Sequence, residues 1–179
     1  HMIIHEDRAD RLVADLAVHH LDLVLTDAPV ALSSDLPAES AVLGQSTVTL
    51  MAAPALAARV LHGFPGTLEG APMLLPEVGS TMRNLLETWF ASVHIHPHVV
   101  AECGDSALIK AFGQEGAGVF AVPTVVSEAV AAQYRVVAVS ELTSCVEQFY
   151  AVALRSRLKN PAVSAVIESA PKKIRYKRI

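Results

Sequence analysis

Residues 104–123 read GDSALIKAFGQEGAGVFAVP, and three local signals follow one another along them. Asp105 is a helix N-cap, with Leu108, Ile109 and Phe112 spaced to bury one face of the helix behind it. Gly113, Gly116 and Gly118 then supply the freedom to leave a helix in the left-handed conformation and to pass close to other backbone. Residues 118–123, GVFAVP, finish as a short apolar strand. A phosphate-cradling turn runs the other way, from strand into helix, so that the helix N-terminus faces the anion. The glycines here are therefore structural, and the stretch is a helix packed back onto a strand.

The same alternation extends in both directions. Strand-like runs occur at LDLVLT (21–26), TVTLMA (47–52), MLLP (73–76), VVAEC (99–103), GVFAVP (118–123), YRVVAV (134–139) and FYAVAL (149–154). Behind Ser80 as N-cap, Met82, Leu85, Leu86, Trp89, Phe90 and Val93 recur at i, i+3, i+4, i+7, i+8 and i+11, one apolar stripe of a helix. A helix from about Arg8 to Val18 has Asp7 as its cap and buries Ala9, Leu12, Val13 and Leu16. Another opens with Asn160 as cap and Pro161 at its first position, burying Val163, Val166 and Ile167. Strands alternating with helices predict a largely parallel α/β architecture. The segment from Ala28 to Gly44, small, polar and proline-bearing, reads as a surface connection.

Composition narrows the function. Of 179 residues 52% are apolar, enough for a real core, and no run is long enough to span a bilayer. The charged start HEDRAD (5–10) does not read as a signal peptide, so the expected location is the cytoplasm. Net charge is −4, but the last eight residues, KKIRYKRI, hold five cations and no acid, which leaves −9 on the rest. An acidic body repels nucleic acid, and the basic tail reads as a solvated terminus. Cys103 and Cys145 are too few for a disulfide framework.

Two clusters invite chemical readings. HIHPH (94–98) places three imidazoles in five positions, yet Pro97 breaks the strand geometry and no neighbouring Cys, Asp or fourth His completes a tetrahedral set. Those histidines read as polar turn residues, and no metal or cofactor is expected. Ser80 lies in EVGSTMRN (77–84) with no adjacent base and no nucleophile elbow around it. Binding is its better use, because Ser80, Thr81 and the free N–H groups of the helix's first turn can accept a carboxylate or other small anion.

The pieces LDLVLTDAP, TVTLMAAPALA, MLLPEVGSTMRNLLETWF, VVAECGDSALIKAFGQEGAGVFAVPTVV and FYAVALRSRLKNPAVSAVIES, in this order from Ile3 to Ser169, resemble the C-terminal effector-binding domain of LysR-type transcriptional regulators. GQEGAGVFAVPTVV and CVEQFYAVALRSRLKNPAV are most similar to the branch, NhaR, that regulates sodium/proton antiporters. The resemblance implies a type 2 periplasmic-binding-protein-like fold of two α/β lobes with an effector cleft between them. Lobe I is expected over 3–46 and 149–170, lobe II over 47–148, and a basic tail over 171–179. Family cleft positions fall on Thr26 and Asp27, on Glu77, Gly79, Ser80 and Thr81, and on Phe120 and Ala121.

The resemblance further implies a non-enzymatic sensory domain of a bacterial transcriptional activator, forming a homodimer or higher homo-oligomer. DNA would be bound only through a winged helix-turn-helix that this chain lacks, and no membrane partner is expected. The antiporter branch points to sodium or pH as the signal. A hard monovalent cation wants oxygen ligands, which makes Asp27, Glu77 and nearby hydroxyls the candidates. The family's first strand and helix are also missing, so the expected pocket is incomplete and IRYKRI (174–179) is a candidate to pair with an exposed sheet edge. Two rivals remain: an exported solute-binding protein of the same fold, and a metalloenzyme using His94, His96 and His98.

Overall fold

The structure, a computed structural model, describes residues 1–31, 33 and 36–170. The basic tail and any strand pairing by it lie outside those residues. The chain divides into two compact units, one of His1–Gln45 with Gln148 onward and one of Ser46–Glu147. Both divisions fall inside long strands, β2 (Ala38–Ala52) and β6 (Val137–Leu154).

In the first unit α1 (Ala9–Ala17) buries Leu16 fully, with Leu12 and Leu21 packed beside it against Val24, Val152 and Leu154. β1 (Val24–Thr26) pairs antiparallel with β6, Val24 opposite Val152 and Thr26 opposite Tyr150. α6 (Pro161–Glu168) starts as its sequence dictates: the Asn160 side-chain oxygen accepts from the Ala162 N–H at 2.9 Å, and Val163 is its buried residue. Ala9 and Val13 are only half-buried in α1, as are Val166 and Ile167 in α6.

The second unit is a sheet with helices on both faces. β3 (Pro72–Pro76) runs parallel to β4 (His98–Cys103), and a bulge shifts the register after Met73. On its other side β3 is tied in parallel to Val119 through two backbone bonds of 2.8 Å. β5 (Phe120–Pro123) continues from there and pairs antiparallel with β2, Leu50 opposite Ala121. Because successive strand residues face opposite sides, Val48, Leu50 and Ala52 enter one apolar layer while Met51 enters the other, and β3 divides Met73 and Leu75 from Leu74 in the same way. The first layer is closed by α2 (Pro54–Leu61) and α3 (Thr81–Val93). The second is closed by α4 (Ser106–Gln114) and α5 (Ser127–Tyr134) through Ile109 and Val130. Each fully buried Leu, Met or Val contributes about 1.5–3 kcal/mol.

Residues 104–123 behave as their sequence predicts. The Asp105 carboxylate accepts from the Ala107 N–H at 2.7 Å. Gly116 takes φ +79°, with its N–H on the Gly113 carbonyl and the Ala117 N–H on that of Phe112, which is the double closure that ends a helix. A Cβ at Gly118 would come within 3.0 Å of the Pro72 carbonyl oxygen, so only glycine lets β5 approach β3.

Several expectations are corrected. Asp7 does not cap α1: Arg8 stands at the N-cap with no side-chain cap bond, and the Asp7 carboxylate accepts from the Arg8 N–H at 2.7 Å, one residue too early. Leu108 and Phe112 do not join the core but stand about half exposed on α4, and only Ile109 of that trio is buried. The segment 38–44 is not a loop but the first half of β2, and YRVVAV and FYAVAL meet in one strand of 18 residues, β6. LDLVLT is a strand only over its last three residues. The pairings β1–β6 and β2–β5 are antiparallel, so the architecture is mixed. Helices α2 and α5 have no counterpart in the sequence reading.

Candidate ligand site at the start of a helix

In an α/β sheet the loops beyond the carboxyl ends of the parallel strands are where ligands sit. In the second unit those loops are residues 77–80 after β3 and 104–105 after β4. Four expected residues come together in the first of them. Gly79 turns the chain at φ +91°, and Ser80 caps α3, its hydroxyl accepting from the Arg83 N–H at 3.3 Å and donating to the Glu77 carbonyl at 3.0 Å. Thr81, half-buried, opens the helix, and its N–H and that of Met82 have no intrahelical acceptor. The Glu77 carboxylate is exposed and lies over Gly104, where a Cβ would stand 3.2 Å from it.

Charges of both signs border this turn. Glu77 and Asp105 are unpaired with Arg83, whereas Glu102 is bound to that buried guanidinium, and the Lys110 ammonium reaches the Ser106 hydroxyl, next to Asp105, at 3.2 Å. The Arg83 guanidinium bonds the Glu102 carboxylate at 2.8 Å, the Pro76 carbonyl at 3.1 Å and the Glu87 carboxylate. Burial works against its charge, but the bonds from Glu102 and Glu87 outweigh it and hold its pKa above the ordinary value. Since Ser80 spends its one hydroxyl proton on the Glu77 carbonyl, it has none to give an anion.

The remaining expected residues are placed elsewhere. Thr26 ends β1 in the first unit, its hydroxyl accepting from the Ala28 N–H at 3.2 Å, and Asp27 is half-buried in the turn that follows. Ala121 is half-buried on the side of β5 that faces the first apolar layer. Phe120 is fully buried in the second layer, with its ring against Gly113, so only its backbone can meet a ligand.

The histidines have a structural account. His94 is the left-handed residue that ends α3 at φ +55°, with its N–H on the Ala91 carbonyl and the Ile95 N–H on that of Phe90. The His96 N–H donates to the Glu69 carboxylate at 2.7 Å. Among the described residues no group of three or more His, Cys, Asp or Glu is arranged to hold a metal ion, and no helix is long and apolar enough to cross a membrane.

Two features escaped the sequence reading. Thr47 and Thr49 on β2 meet Thr124 just beyond β5, with hydroxyl separations of 2.9 and 2.8 Å, and Thr47 also bonds the Glu141 carboxylate on β6. The alternation in STVT (46–49) is the signal that could have found it, since i and i+2 share a strand face. A groove of about 420 Å³ runs beside α3, its lining more apolar than polar, with Leu85 and Trp89 between Thr81, Asn84, Thr88 and Ser92 on the helix, and Ser144 and Cys145 on β6.

A family model described as the LysR substrate binding domain matches residues 1–174. Transcriptional activator protein NhaR of Escherichia coli (strain K12) is 25% identical over 166 residues, which are 93% of this chain and 54% of that protein. NhaR of Shigella flexneri gives the same figures. The chain thus spans about half the length of the curated relatives it matches. Among solved structures, VV2_1132, a LysR family transcriptional regulator, superposes with a TM-score of 0.66 at 19% identity, covering 92% of this chain and 55% of that one. The regulatory domain of HypT from Salmonella typhimurium superposes with a TM-score of 0.65 at 15% identity, covering 89% and 77%.

Proposed function

Because this chain belongs to the LysR substrate binding domain family, we propose that it senses an alkali cation, sodium foremost, with a response coupled to pH, on behalf of a transcriptional activator. The fold is the periplasmic-binding-protein-like fold of LysR regulatory domains, and the chain is an effector-binding domain of that type. Support for sodium comes from the likeness of GQEGAGVFAVPTVV and CVEQFYAVALRSRLKNPAV to the antiporter-regulating branch.

One observation favours a cation over an anion: the α3 turn exposes the Glu77 carboxylate over Gly104, while the Ser80 proton is committed to the Glu77 carbonyl. An anion would meet repulsion there, whereas a hard cation takes oxygen ligands. In the second unit the proposed contacts are Glu77, Gly79, Ser80 and Thr81, with Ala121 and the Phe120 backbone. In the first unit they are Thr26 and Asp27. The domain does no catalysis in this reading, acts in the cytoplasm, and reaches DNA only through a DNA-binding domain elsewhere in the full-length regulator.

A homodimer is part of the proposal. Val99 and Val100 on β4 and Leu108 and Phe112 on α4 are between 38% and 50% exposed on neighbouring elements. β4 has no strand beyond it among the described residues, and apolar side chains on such an edge suit a second subunit. Calorimetric titration with sodium, lithium and potassium chlorides tests the ligand. Binding of sodium or lithium without potassium supports the reading, and equal heats from all three reject it.

A further inference from the structure

Arg83 lies inside the first turn of α3 with a side chain only 10% exposed. It grips both ends of the turn that carries Glu77, Gly79 and Ser80. Its guanidinium donates through Nη1 to the Pro76 carbonyl, where β3 stops, at 3.1 Å. Its backbone N–H donates to the Ser80 hydroxyl, where α3 starts, at 3.3 Å. The same Nη1 is anchored on β4 by the Glu102 carboxylate at 2.8 Å. Within the span, Glu77 donates its N–H to the Cys103 carbonyl at 3.2 Å and accepts from Ser80 through its own carbonyl.

From this we infer that Arg83 is the positioning residue of the proposed effector turn: it holds Glu77–Thr81 in place against β3 and β4 without touching the effector. The inference rests on the reading of that turn as the effector contact. The chemistry requires arginine, because a guanidinium offers a rigid planar fork of donors whereas a lysine ammonium is a single compact charge on a flexible stem. The contact to Glu87 is different in kind. It runs from Nε to a residue one turn along the same helix and leaves the turn alone.

That difference supplies the control. Amide hydrogen exchange is compared in the parent, Arg83→Lys and Glu87→Gln. The diagnostic amides are Glu77, Ser80 and residue 83. Ile95 and Ala117, whose N–H groups close the C-terminal ends of α3 and α4, report on the rest of the unit. Arg83→Lys is expected to speed exchange at the turn on the order of tenfold, the loss of about one hydrogen bond to a charged group, and to leave Ile95 and Ala117 unchanged. Glu87→Gln is expected to leave the turn amides at the parent rate. Sodium chloride titration of the same proteins should show a several-fold weaker affinity in Arg83→Lys and an unaltered one in Glu87→Gln. The inference is overturned if the turn amides of Arg83→Lys exchange like the parent's, if all five amides accelerate together, or if Glu87→Gln does the same. Should the parent not bind sodium, the effector reading fails by itself, while exchange still decides whether Arg83 holds the turn.

Discussion

Gly113→Ala separates what helix chemistry predicts from what packing predicts. Gly113 lies within α4, where alanine is favoured over glycine by about 0.8–1.0 kcal/mol. A Cβ built there stands 2.3 Å from both Cδ1 and Cε1 of Phe120. Ordinary carbon contacts are about 3.5–4.0 Å, so the ring must retreat by more than an ångström. It has nowhere to go, because Phe120 is fully buried among Met51, Leu74 and Ile109. Overpacking of this kind costs about 1–3 kcal/mol, and so severe an overlap belongs at the upper end. After the propensity gain the net loss is about 1–2 kcal/mol, a fall in melting temperature of roughly 2–4 °C per kcal/mol for a chain of this size. Urea unfolding of Gly113→Ala, Phe120→Leu and the double variant measures it. The double variant should recover part of the loss, with a coupling of about 0.5–3 kcal/mol. A Gly113→Ala protein as stable as the parent, or more so, would refute the packing argument.

His94→Gly should stabilise the protein by about 1 kcal/mol, because His94 holds the left-handed position that ends α3 and glycine removes the Cβ penalty there; a lower urea midpoint would count against that role. Replacing both Leu108 and Phe112 by Lys should turn a dimer into a monomer in sedimentation equilibrium with little loss of stability, since neither side chain is in the core; an unchanged mass would place the interface elsewhere. Burial pushes the Cys145 thiol above its ordinary value. The unfolded chain therefore loses that proton first as pH rises, so the thiol's contribution is complete below the ordinary thiol range and drains away above it, by at most about 1.4 kcal/mol per pH unit. Cys145→Ala should flatten that part of the stability profile, and a parallel profile would show that the thiol does not contribute.

Helix starts and stops were largely legible because they are local chemistry, although the start of α1 was not, since Arg8 rather than Asp7 stands at its N-cap. Ser80, Asp105 and Asn160 each accept the first-turn N–H that their side chains are built to accept. Gly116 likewise marks its helix end by a backbone angle that few other residues adopt easily. The outer half of β2 was hidden because residues 39–42 are exposed and lack the apolar alternation that signals a strand. Leu108 and Phe112 illustrate a second limit. Helical spacing marks an apolar face without saying whether the chain's own core or another surface covers it. Within the candidate site, Ser80 and Thr81 were readable from the cap, whereas Arg83 was not: its burial is set by Glu102, nineteen positions away on another element. The threonine cluster joins residues 75 to 94 positions apart, a distance over which local pattern carries no information.

In the proposed function the Glu77 turn belongs to an effector site for an alkali cation. Thermal unfolding of the parent and of Glu77→Gln in sodium, lithium and potassium chlorides, at matched ionic strength and from neutral to mildly alkaline pH, tests it most directly. A ligand that binds the folded state raises its stability by about 2.7 kcal/mol at a hundredfold excess over Kd. A rise in melting temperature specific to sodium or lithium is expected in the parent and should be largely lost in Glu77→Gln. The same curve in all three salts, or an ion-specific rise that survives Glu77→Gln unchanged, would contradict it.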